Sequence, residues 1–313
     1  MLQQTKVNTV IPYYNRWLVE FPSIEAVAKA NTDSVLKMWE GLGYYARARN
    51  FHSACIIIMN KFCGRVPENY QDFISLPGVG PYVAGAVMSI AYNVTIPAID
   101  SNAYRVVSRI KSICLPFNGC KHEIAEFLSG HIPSDRPGDF NQALMDFGRE
   151  ICTFKNPLCG SCPIQENCSS VINNAVSKYP FRAKQVKKPH YRVAVGIVWH
   201  KNKILISRRK ESGLLGGLWE FPGGKVKKGE SAENCIIREI NEELGVDVMP
   251  VSFLKQIKHV YSHFSITLDA FRCNYVAGDP SPIGCSDWKW INLEEIPQFP
   301  FPRASHKLFN FLI

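Results

Sequence analysis

The segment LPGVGPYVAGAVMSIAY, residues 76–92, decides how the N-terminal half of the chain is predicted to fold. Gly78 and Gly80 allow a tight turn, and the apolar run after Pro81 is typical of a helix that begins at that turn. Backbone N–H groups at such a helix start can point at a phosphate. The segment therefore predicts a helix–hairpin–helix that contacts a nucleic-acid backbone, with an ordinary glycine-rich connector as the alternative.

A carboxylate follows this hairpin in the sequence. The segment IPAIDSN, residues 96–102, places Asp100 after an apolar run and directly before the helical pattern AYRVVSRI. An isolated aspartate in this place can simply cap the next helix. The residue alone therefore leaves its role open.

Cysteines are crowded into the loop Cys152-x6-Cys159-x2-Cys162-x5-Cys168, which holds four of the eleven in the chain. Four thiolates in so short a loop can satisfy one tetrahedral metal ion or one iron–sulfur cubane. The spacing predicts a metal centre and leaves zinc open, because short paired cysteine spacings are common in zinc sites. The dispersed cysteines are predicted to be small buried hydrophobic residues.

The amino-acid composition limits the classes of protein to which the chain can belong. With 313 residues, 46% apolar and 20% charged, the chain is predicted to form about two globular domains, which excludes a largely disordered chain. No apolar run approaches the ~18 residues of a membrane span, and the start does not resemble a signal peptide, so a cytoplasmic protein, nucleoid-associated in a bacterium, is expected. A pI near 9.0 favours nucleic acid as partner, with an acidic membrane surface as the alternative.

The positive charge is concentrated in one stretch. Residues 1–170 contribute only +1 of the net +9, whereas Lys178–Lys210 holds eleven Lys and Arg and no acidic residue. Its first part, KYPFRAKQVKKPH, contains two prolines and is predicted to be an extended basic linker. Lys184, Lys187 and Lys188 are interpreted either as a solvated connector or as contacts to the DNA backbone.

The two halves differ in periodicity. Apolar residues recur at three- and four-residue steps up to about residue 150, whereas YRVAVGIVW, KILIS and FSITLDAFRC are β-rich runs that surround one helical pattern, SAENCIIREINEELG. The predicted fold is multidomain. An all-α helix–hairpin–helix domain with its cysteine loop covers 1–170, a basic linker covers 171–190, and an α+β domain covers 191–313.

The order of hairpin, aspartate and cysteine loop resembles the helix–hairpin–helix glycosylases of base excision repair that carry a 4Fe–4S cluster. The blocks MLQQT, WEGLGYYARARN, LPGVGPY, IPAIDSN and FNQALMDFG are very similar to those of the MutY-type adenine DNA glycosylases, over essentially the whole chain. Those enzymes remove adenine mispaired with 8-oxoguanine. The resemblance implies a monomer that acts on double-stranded DNA containing A:8-oxoguanine or A:G mispairs.

The resemblance also implies catalytic roles. Asp100 would stabilise the positive charge that develops on the deoxyribose as the glycosidic bond breaks, and Asn102 would position it. Tyr82 stands where lyase-competent relatives such as endonuclease III carry a nucleophilic lysine. A Schiff base therefore lacks its amine, and a monofunctional glycosylase is expected.

Other family residues are implied for DNA and cluster binding. Gln4 and Tyr44 would wedge into the DNA stack while the adenine is flipped out, and Gln142 would read the extruded base. Cys152, Cys159, Cys162 and Cys168 would hold the 4Fe–4S cluster. In the family a glutamate two residues before MLQQT protonates the adenine, so we expect that the true start lies upstream of Met1 and that the chain as given is impaired.

The C-terminal half contains a complete Nudix box, G-x5-E-x7-R-E-U-x-E-E-x-G-U, at residues 224–246. Glu239, Glu242 and Glu243 share one helix face, which suits Mg²⁺ and, through it, a diphosphate. In MutY-type enzymes the similar domain usually reads 8-oxoguanine. The resemblance places the base-contacting residues of that loop at His259, Tyr261, Ser262 and His263.

Two alternatives stay open at this point. The complete box would suit a Nudix diphosphohydrolase that acts on oxidised nucleotides and is carried on a DNA-binding helical domain. The missing general acid would suit a mismatch-binding protein without catalysis.

Overall fold

The computed structural model describes residues 1–3, 5–183, 188–261 and 263–312. Gln4, Ser262, Lys184 and Lys187 lie outside the described residues, so the roles predicted for them stay predictions. Contacts between Cα atoms divide the chain into two compact units, Met1–Gly64 with Lys187–Ile313 and Arg65–Val186. Packing thus groups the first 64 residues with the C-terminal half, and the boundaries predicted at 170 and 190 stay predictions.

Short helices open the first unit. They are α1 (Val7–Glu20), α2 (Ile24–Lys29), α3 (Thr32–Trp39) and α4 (Ala46–Lys61). The side chains of Ser23 and Asn31 cap α2 and α3 by accepting backbone N–H groups of the first turn. Gly41 and Gly43 break the helical path between α3 and α4 because both have positive φ.

A mixed β-sheet forms the rest of the first unit. Its strands are β1 (His190–His200), β2 (Lys203–Arg208), β3 (Trp219–Glu220), β4 (Gly223–Lys225), β5 (Asp247–Val260), β6 (Ser265–Ala277) and β7 (Asp287–Ile291). The order is β3-β2-β1-β6-β5, with β4 paired to β1 and β7 paired to β2. The β1–β6 pair is parallel, and Val195 lies opposite Ala270.

The two faces of this sheet bury separate cores. On one face, helix α11 (Ala232–Leu244) packs Ile236 and Ile240 against Ala194. The other face packs Ile206 and Phe221 against Phe301 and Leu308 of the C-terminal segment, which contains α12 (Arg303–His306). Layers of this kind follow from burying both faces of a sheet.

The N-terminal helices and the sheet share part of one core. Leu218, directly before β3, is buried among Leu36 and Trp39 of α3. Asp33 of α3 pairs with Arg208 Nη2 at 2.8 Å through Oδ1, and its Oδ2 accepts the indole N–H of Trp219 at 3.1 Å. These contacts explain why residues 1–64 group with the C-terminal half.

The second unit is helical. It contains α5 (Tyr70–Ile74), α6 (Pro81–Tyr92), α7 (Ser101–Lys111), α8 (Phe117–Ser129), α9 (Pro137–Glu150) and α10 (Ser169–Ile172), with 3₁₀ turns at Cys159–Ser161, Gln165–Asn167 and Val176–Lys178. Ala103 and Val107 of α7 pack against Ile124 and Leu128 of α8. The predicted fold class, a helical region followed by an α+β domain, is confirmed. Within the described chain, no helix combines the length and the apolar content that a membrane crossing needs.

A buried amide fixes the segment that leads to Asp100. Asn141 of α9 is fully buried, and its Oδ1 accepts the N–H of Ala98 at 2.9 Å. Its Nδ2 donates to Ser89 Oγ at 2.8 Å and to the carbonyl oxygen of Ile96 at 2.9 Å. Because one side chain holds both α6 and the segment 96–98, the entry to α7 is set by α9.

Replacing this amide tests its role. We expect Asn141→Ala to lower the free energy of unfolding by about 2–4 kcal/mol, because a buried N–H and a buried carbonyl lose their partners and a cavity is left. The neighbouring variant Gln142→Ala is the control, since Gln142 is exposed and should change stability by less than about 0.5 kcal/mol. Urea unfolding measures both, and equal losses would contradict the assignment.

Candidate functional site

Asp100 caps helix α7 and has both carboxylate oxygens engaged. Its Oδ1 accepts the backbone N–H of Ala103 at 2.7 Å, and its Oδ2 accepts the amide N–H of Asn102 at 2.8 Å. The side chain is only half-buried. The helix N-terminus and the amide together hold the carboxylate in one position. The capping role and the predicted site role are therefore compatible in one residue.

Arg105, one turn further along α7, orients Asn102. Its Nη2 donates to Asn102 Oδ1 at 2.9 Å, and its Nε donates to the carbonyl oxygen of Cys152 at 2.8 Å. Gly148 of α9 lies so close that a Cβ there would stand 2.6 Å from Asn102 Cβ. The pairing of Asn102 with Asp100 thus depends on a close approach of α7 and α9.

Tyr82 lies in the first turn of α6 and is half-buried. Burial raises the pKa of its phenol, and so does the negative charge of Asp100. Its hydroxyl donates to Met145 Sδ of α9 at 3.9 Å. Tyr82 therefore lies within the electrostatic influence of Asp100, and its role in the site stays a prediction.

The hairpin before α6 is built around its glycines. Gly78 has φ +78°, a left-handed conformation that favours glycine, and the N–H of Val79 donates to the Leu76 carbonyl at 3.1 Å. A Cβ at Gly80, the cap of α6, would meet no heavy atom within 4 Å. The start of α6 is thus open on the side where the sequence predicts a phosphate.

Gln142 is exposed on α9, one residue after the buried Asn141. Its Nε2 donates to the carbonyl oxygen of Gly138 at 3.3 Å. It stands three residues before Met145, which contacts Tyr82, so both lie on one side of α9. An exposed amide in this place is free to meet a ligand, and its role as a base reader stays a prediction.

The predicted metal-ligand cysteines line a single small cavity that is open to solvent. Apolar side chains, among them Val106, Ile151 and Val171, form the rest of its wall. Among the described residues, no group of three or more His, Cys, Asp or Glu is spaced to hold a metal ion. The cysteines that share the cavity are Cys152, Cys159, Cys162 and Cys168.

Arg109 joins α7 to this cysteine loop and is only 2% exposed. Its Nη1 donates to Cys152 Sγ at 3.2 Å and to the Thr153 carbonyl at 2.7 Å, and its Nη2 donates to the Phe154 carbonyl at 3.1 Å. The sequence analysis missed both Arg105 and Arg109. Their spacing, four apart on one helix, is the signal that could have indicated a shared buried face.

Tyr44 belongs to the first unit and is exposed, with a left-handed φ of +49°. The guanidinium of Arg47 lies 5.4 Å from its ring centroid and 5.3 Å from that of Trp39. Arg47 also donates to the carbonyl oxygen of Met1 at 3.0 Å and to that of Gln3. Arg47, which the sequence analysis did not single out, therefore ties the N-terminal segment to the Tyr44 loop.

The predicted recognition loop lies in the same unit as Tyr44. The rings of Tyr44 and His263 meet edge to face with centroids 6.5 Å apart. Tyr261 stacks on Phe264 at 4.7 Å and contacts His259 at 4.5 Å, and burial raises the pKa of its phenol to about 12. The structure thus packs Tyr261 against its own domain, whereas His263 and Tyr44 stand side by side.

Arg238 occupies the centre of the Nudix box. It pairs with Glu230 at 2.7 Å, with Glu239 at 2.8 Å and with Glu242 at 3.2 Å. The hydrogen bond from Arg238 lowers the pKa of Glu230 to about 2. Glu239, Glu242 and Glu243 are not spaced as a set that could hold a metal ion, so Mg²⁺ binding stays a prediction.

Glu243 lines a separate pocket of about 230 Å³. Burial raises the pKa of its carboxyl to about 8, and the charges of Glu220 and Glu239 act in the same direction. Arg209, also in this pocket, holds Glu220 with two hydrogen bonds of 2.8 and 2.7 Å. Of the two cations that the described residues contribute to this pocket, Arg209 is therefore already engaged by a carboxylate of the chain, and Lys210 is the other.

Comparison with known proteins supports both halves of the chain. A family model described as HhH-GPD superfamily base excision DNA repair protein matches residues 1–115, and one described as NUDIX domain matches residues 194–310. The solved structure of a thermostable thymine-DNA glycosylase superposes with a TM-score of 0.52 at 28% identity, covering 55% of this chain and 80% of that chain.

Similar sequences extend over more of the chain. The adenine DNA glycosylase of Buchnera aphidicola subsp. Baizongia pistaciae is 34% identical over 272 residues, which cover 86% of this chain and 75% of that protein. The adenine DNA glycosylase of Rattus norvegicus is 29% identical over 358 residues, covering 99% of this chain and 69% of that protein. The chain therefore belongs to the adenine DNA glycosylases, enzymes of base excision repair.

Proposed function

We propose that this chain hydrolyses the N-glycosidic bond of adenine paired with 8-oxoguanine or guanine in duplex DNA. The observation that carries the proposal is the placement of Asp100. Its carboxylate is half-buried at the N-terminus of α7, fixed by Ala103 and Asn102, and lies close enough to Tyr82 to raise the pKa of that phenol. A fixed carboxylate stabilises positive charge without having to reorganise during the reaction.

The proposed chemistry follows from this geometry. As the bond between the sugar carbon and the adenine nitrogen breaks, its electron pair leaves with the base, and positive charge develops on the deoxyribose beside Asp100. A water oxygen then bonds to the sugar carbon, and the proton that the water loses balances the proton that the departing adenine takes up, which gives neutral adenine and an abasic site. Tyr82 carries no amine, so the sugar is not captured as a Schiff base and the reaction ends at hydrolysis.

Mispair specificity is proposed for the first unit. Tyr44 is exposed in a loop held by Arg47, and His263 of the 259–263 loop contacts its ring. An exposed aromatic ring can stack on a base, and polar groups of the neighbouring loop can form hydrogen bonds to the edge of a base. We infer that Tyr44 enters the DNA stack while the adjacent loop contacts the 8-oxoguanine.

Hydrolysis of oxidised nucleotides receives less support from the Nudix box. Arg238 engages Glu230, Glu239 and Glu242, and Arg209 engages Glu220. Three carboxylates of the box, those of Glu230, Glu239 and Glu242, are thus used within the fold. We therefore assign this domain a reading role rather than a hydrolytic one.

The cysteine loop is proposed to hold a 4Fe–4S cluster. Its four thiols line one cavity with apolar walls instead of converging on a single ion. Arg109 Nη1 donates to Cys152 Sγ, a contact that would also orient this sulfur as a cluster ligand. When bound, such a cluster supplies a redox-active centre, and Cys152, Cys159, Cys162 and Cys168 would be its ligands.

The catalytic assignment is tested by Asp100→Asn. We expect adenine release from an A:8-oxoguanine duplex to fall by about 100-fold or more, because the amide cannot offset the charge on the sugar. Single-turnover assays would use both the chain as given and a version that carries the upstream glutamate implied by the family. Asp146→Asn removes the same charge from an exposed position of α9 and should release adenine at the unaltered rate. Full activity of Asp100→Asn in the extended version would contradict the assignment.

The cluster is tested by Cys159→Ser in the purified chain. We expect the unaltered chain to contain about four iron atoms and four sulfides, and the variant to lose most of them because one thiolate ligand is gone. Cys114→Ser, an exposed cysteine outside the loop, is the matched control and should keep its iron. One zinc ion per chain with no iron or sulfide would refute the cluster.

A further inference from the structure

A group of exposed cations lies at the C-terminal end of the sheet domain. It consists of Lys255 of β5 and of Arg303 and Lys307 of the C-terminal segment, and is called here the C-terminal basic patch. Lys307 Nζ donates to the carbonyl oxygen of Lys258 at 3.2 Å, which joins the two elements. Lys255 Nζ lies 4.8 Å from the ring centroid of Phe311.

The positive charge of this patch is not neutralised within the described part of the chain, where none of its members forms an ion pair. The acidic groups on neighbouring elements are engaged elsewhere. Glu40 pairs with Lys37 at 2.8 Å and with His306 at 3.0 Å. Asp269 of β6 pairs with Arg192 at 2.9 Å. Uncompensated cations of this kind attract an anion from outside the chain.

The patch adjoins the residues proposed to read DNA. His259 directly follows Lys258, and the pKa of its imidazole is lowered by burial and by the charges of Lys307 and Arg303. The charge of Arg303 also acts on Tyr45, the neighbour of Tyr44. The contact of Lys307 with the Lys258 carbonyl places it beside His259, and the pairing of His306 with Glu40 at 3.0 Å brings α12 to the segment that leads to Tyr44.

We propose that the C-terminal basic patch, led by Arg303 and Lys307, binds backbone phosphate of the DNA strand that carries the 8-oxoguanine. Lys and Arg side chains that contact phosphates fix the register of a protein on the duplex, whereas neighbouring groups read the base. The patch would hold the strand while the 259–263 loop contacts the base. This inference rests on the proposed function of that loop.

Binding measurements test the proposal in an Asp100→Asn background, in which turnover is expected to be slow enough for equilibrium binding. We expect R303Q/K307Q to lower the salt slope of log K by about 1–2 and to weaken duplex binding by about tenfold near ~0.1 M salt, because each phosphate contact contributes ~0.9 to the slope. The matched control is K227Q/K228Q, which removes two exposed charges from the same domain. Equal slope changes in the two variants would overturn the proposal.

A scan of neutral methylphosphonate linkages along the 8-oxoguanine strand locates the contact. The Asp100→Asn protein and the K227Q/K228Q variant should lose affinity at the same one or two linkages near the lesion. The R303Q/K307Q variant should be insensitive at those linkages, and an unchanged profile would overturn the proposal. Thermal midpoints confirm that both variants are folded.

The proposed function and this inference can be refuted by different measurements. Adenine release is measured with Asp100 intact, in the version that carries the upstream glutamate, and its absence would refute the proposed hydrolysis. A selective loss of phosphate contacts in R303Q/K307Q would still place the strand on the patch in that case.

Discussion

The buried guanidinium groups of α7 are the constraint on which the second unit depends. Arg105 and Arg109 have almost no exposure, so their donors must find acceptors inside the fold. Those acceptors are Asn102, the backbone of α9 and the first residues of the cysteine loop. Removing one partner of a buried charge lowers the free energy of unfolding by about 3–5 kcal/mol. Packings that leave these guanidinium groups without acceptors are therefore strongly disfavoured. Asp100 and Cys152 are therefore fixed relative to each other through one helix.

The same constraint links stability to chemistry. The cysteine loop is held to α7 by backbone carbonyls and by one sulfur, and Asn102 is held by the same helix. A change in the loop that displaces the Cys152 carbonyl would reach the amide that donates to Asp100 through a single arginine. The loop thus supports the geometry of the candidate catalytic carboxylate without approaching it.

Sequence reasoning predicted the fold class and most of the elements, because periodicity and turn residues are local signals. The helix after Gly80, the break at Gly41 and Gly43, and helix α11 were all predicted. Strand β5 was not predicted. It contains Pro250 and several shifts in its register with β6, so its apolar residues do not alternate regularly.

The candidate site was predicted in part. The pairing of Asp100 with Asn102 and the shared cavity of the cysteines agree with the motifs. Arg105, Arg109, Arg47 and Asn141 were missed, because their importance lies in partners that are distant in sequence. Tyr261 shows that a motif can also suggest more than the packing supports. The motif suggests a ring that is free to stack on a base, whereas in the structure this ring stacks on Phe264.

The shared core of the N-terminal helices and the sheet domain bears on how the gene can be divided. A cut within the basic linker would separate Leu218 from Leu36, and Trp219 and Arg208 from Asp33. Each fragment would then expose to water an apolar surface and a charge that have lost their partners. Exposed apolar surfaces of this kind are prone to self-association. For recombinant work the two halves should be expressed together. The domain that the motifs define, residues 191–313, is smaller than the compact unit, which also contains residues 1–64.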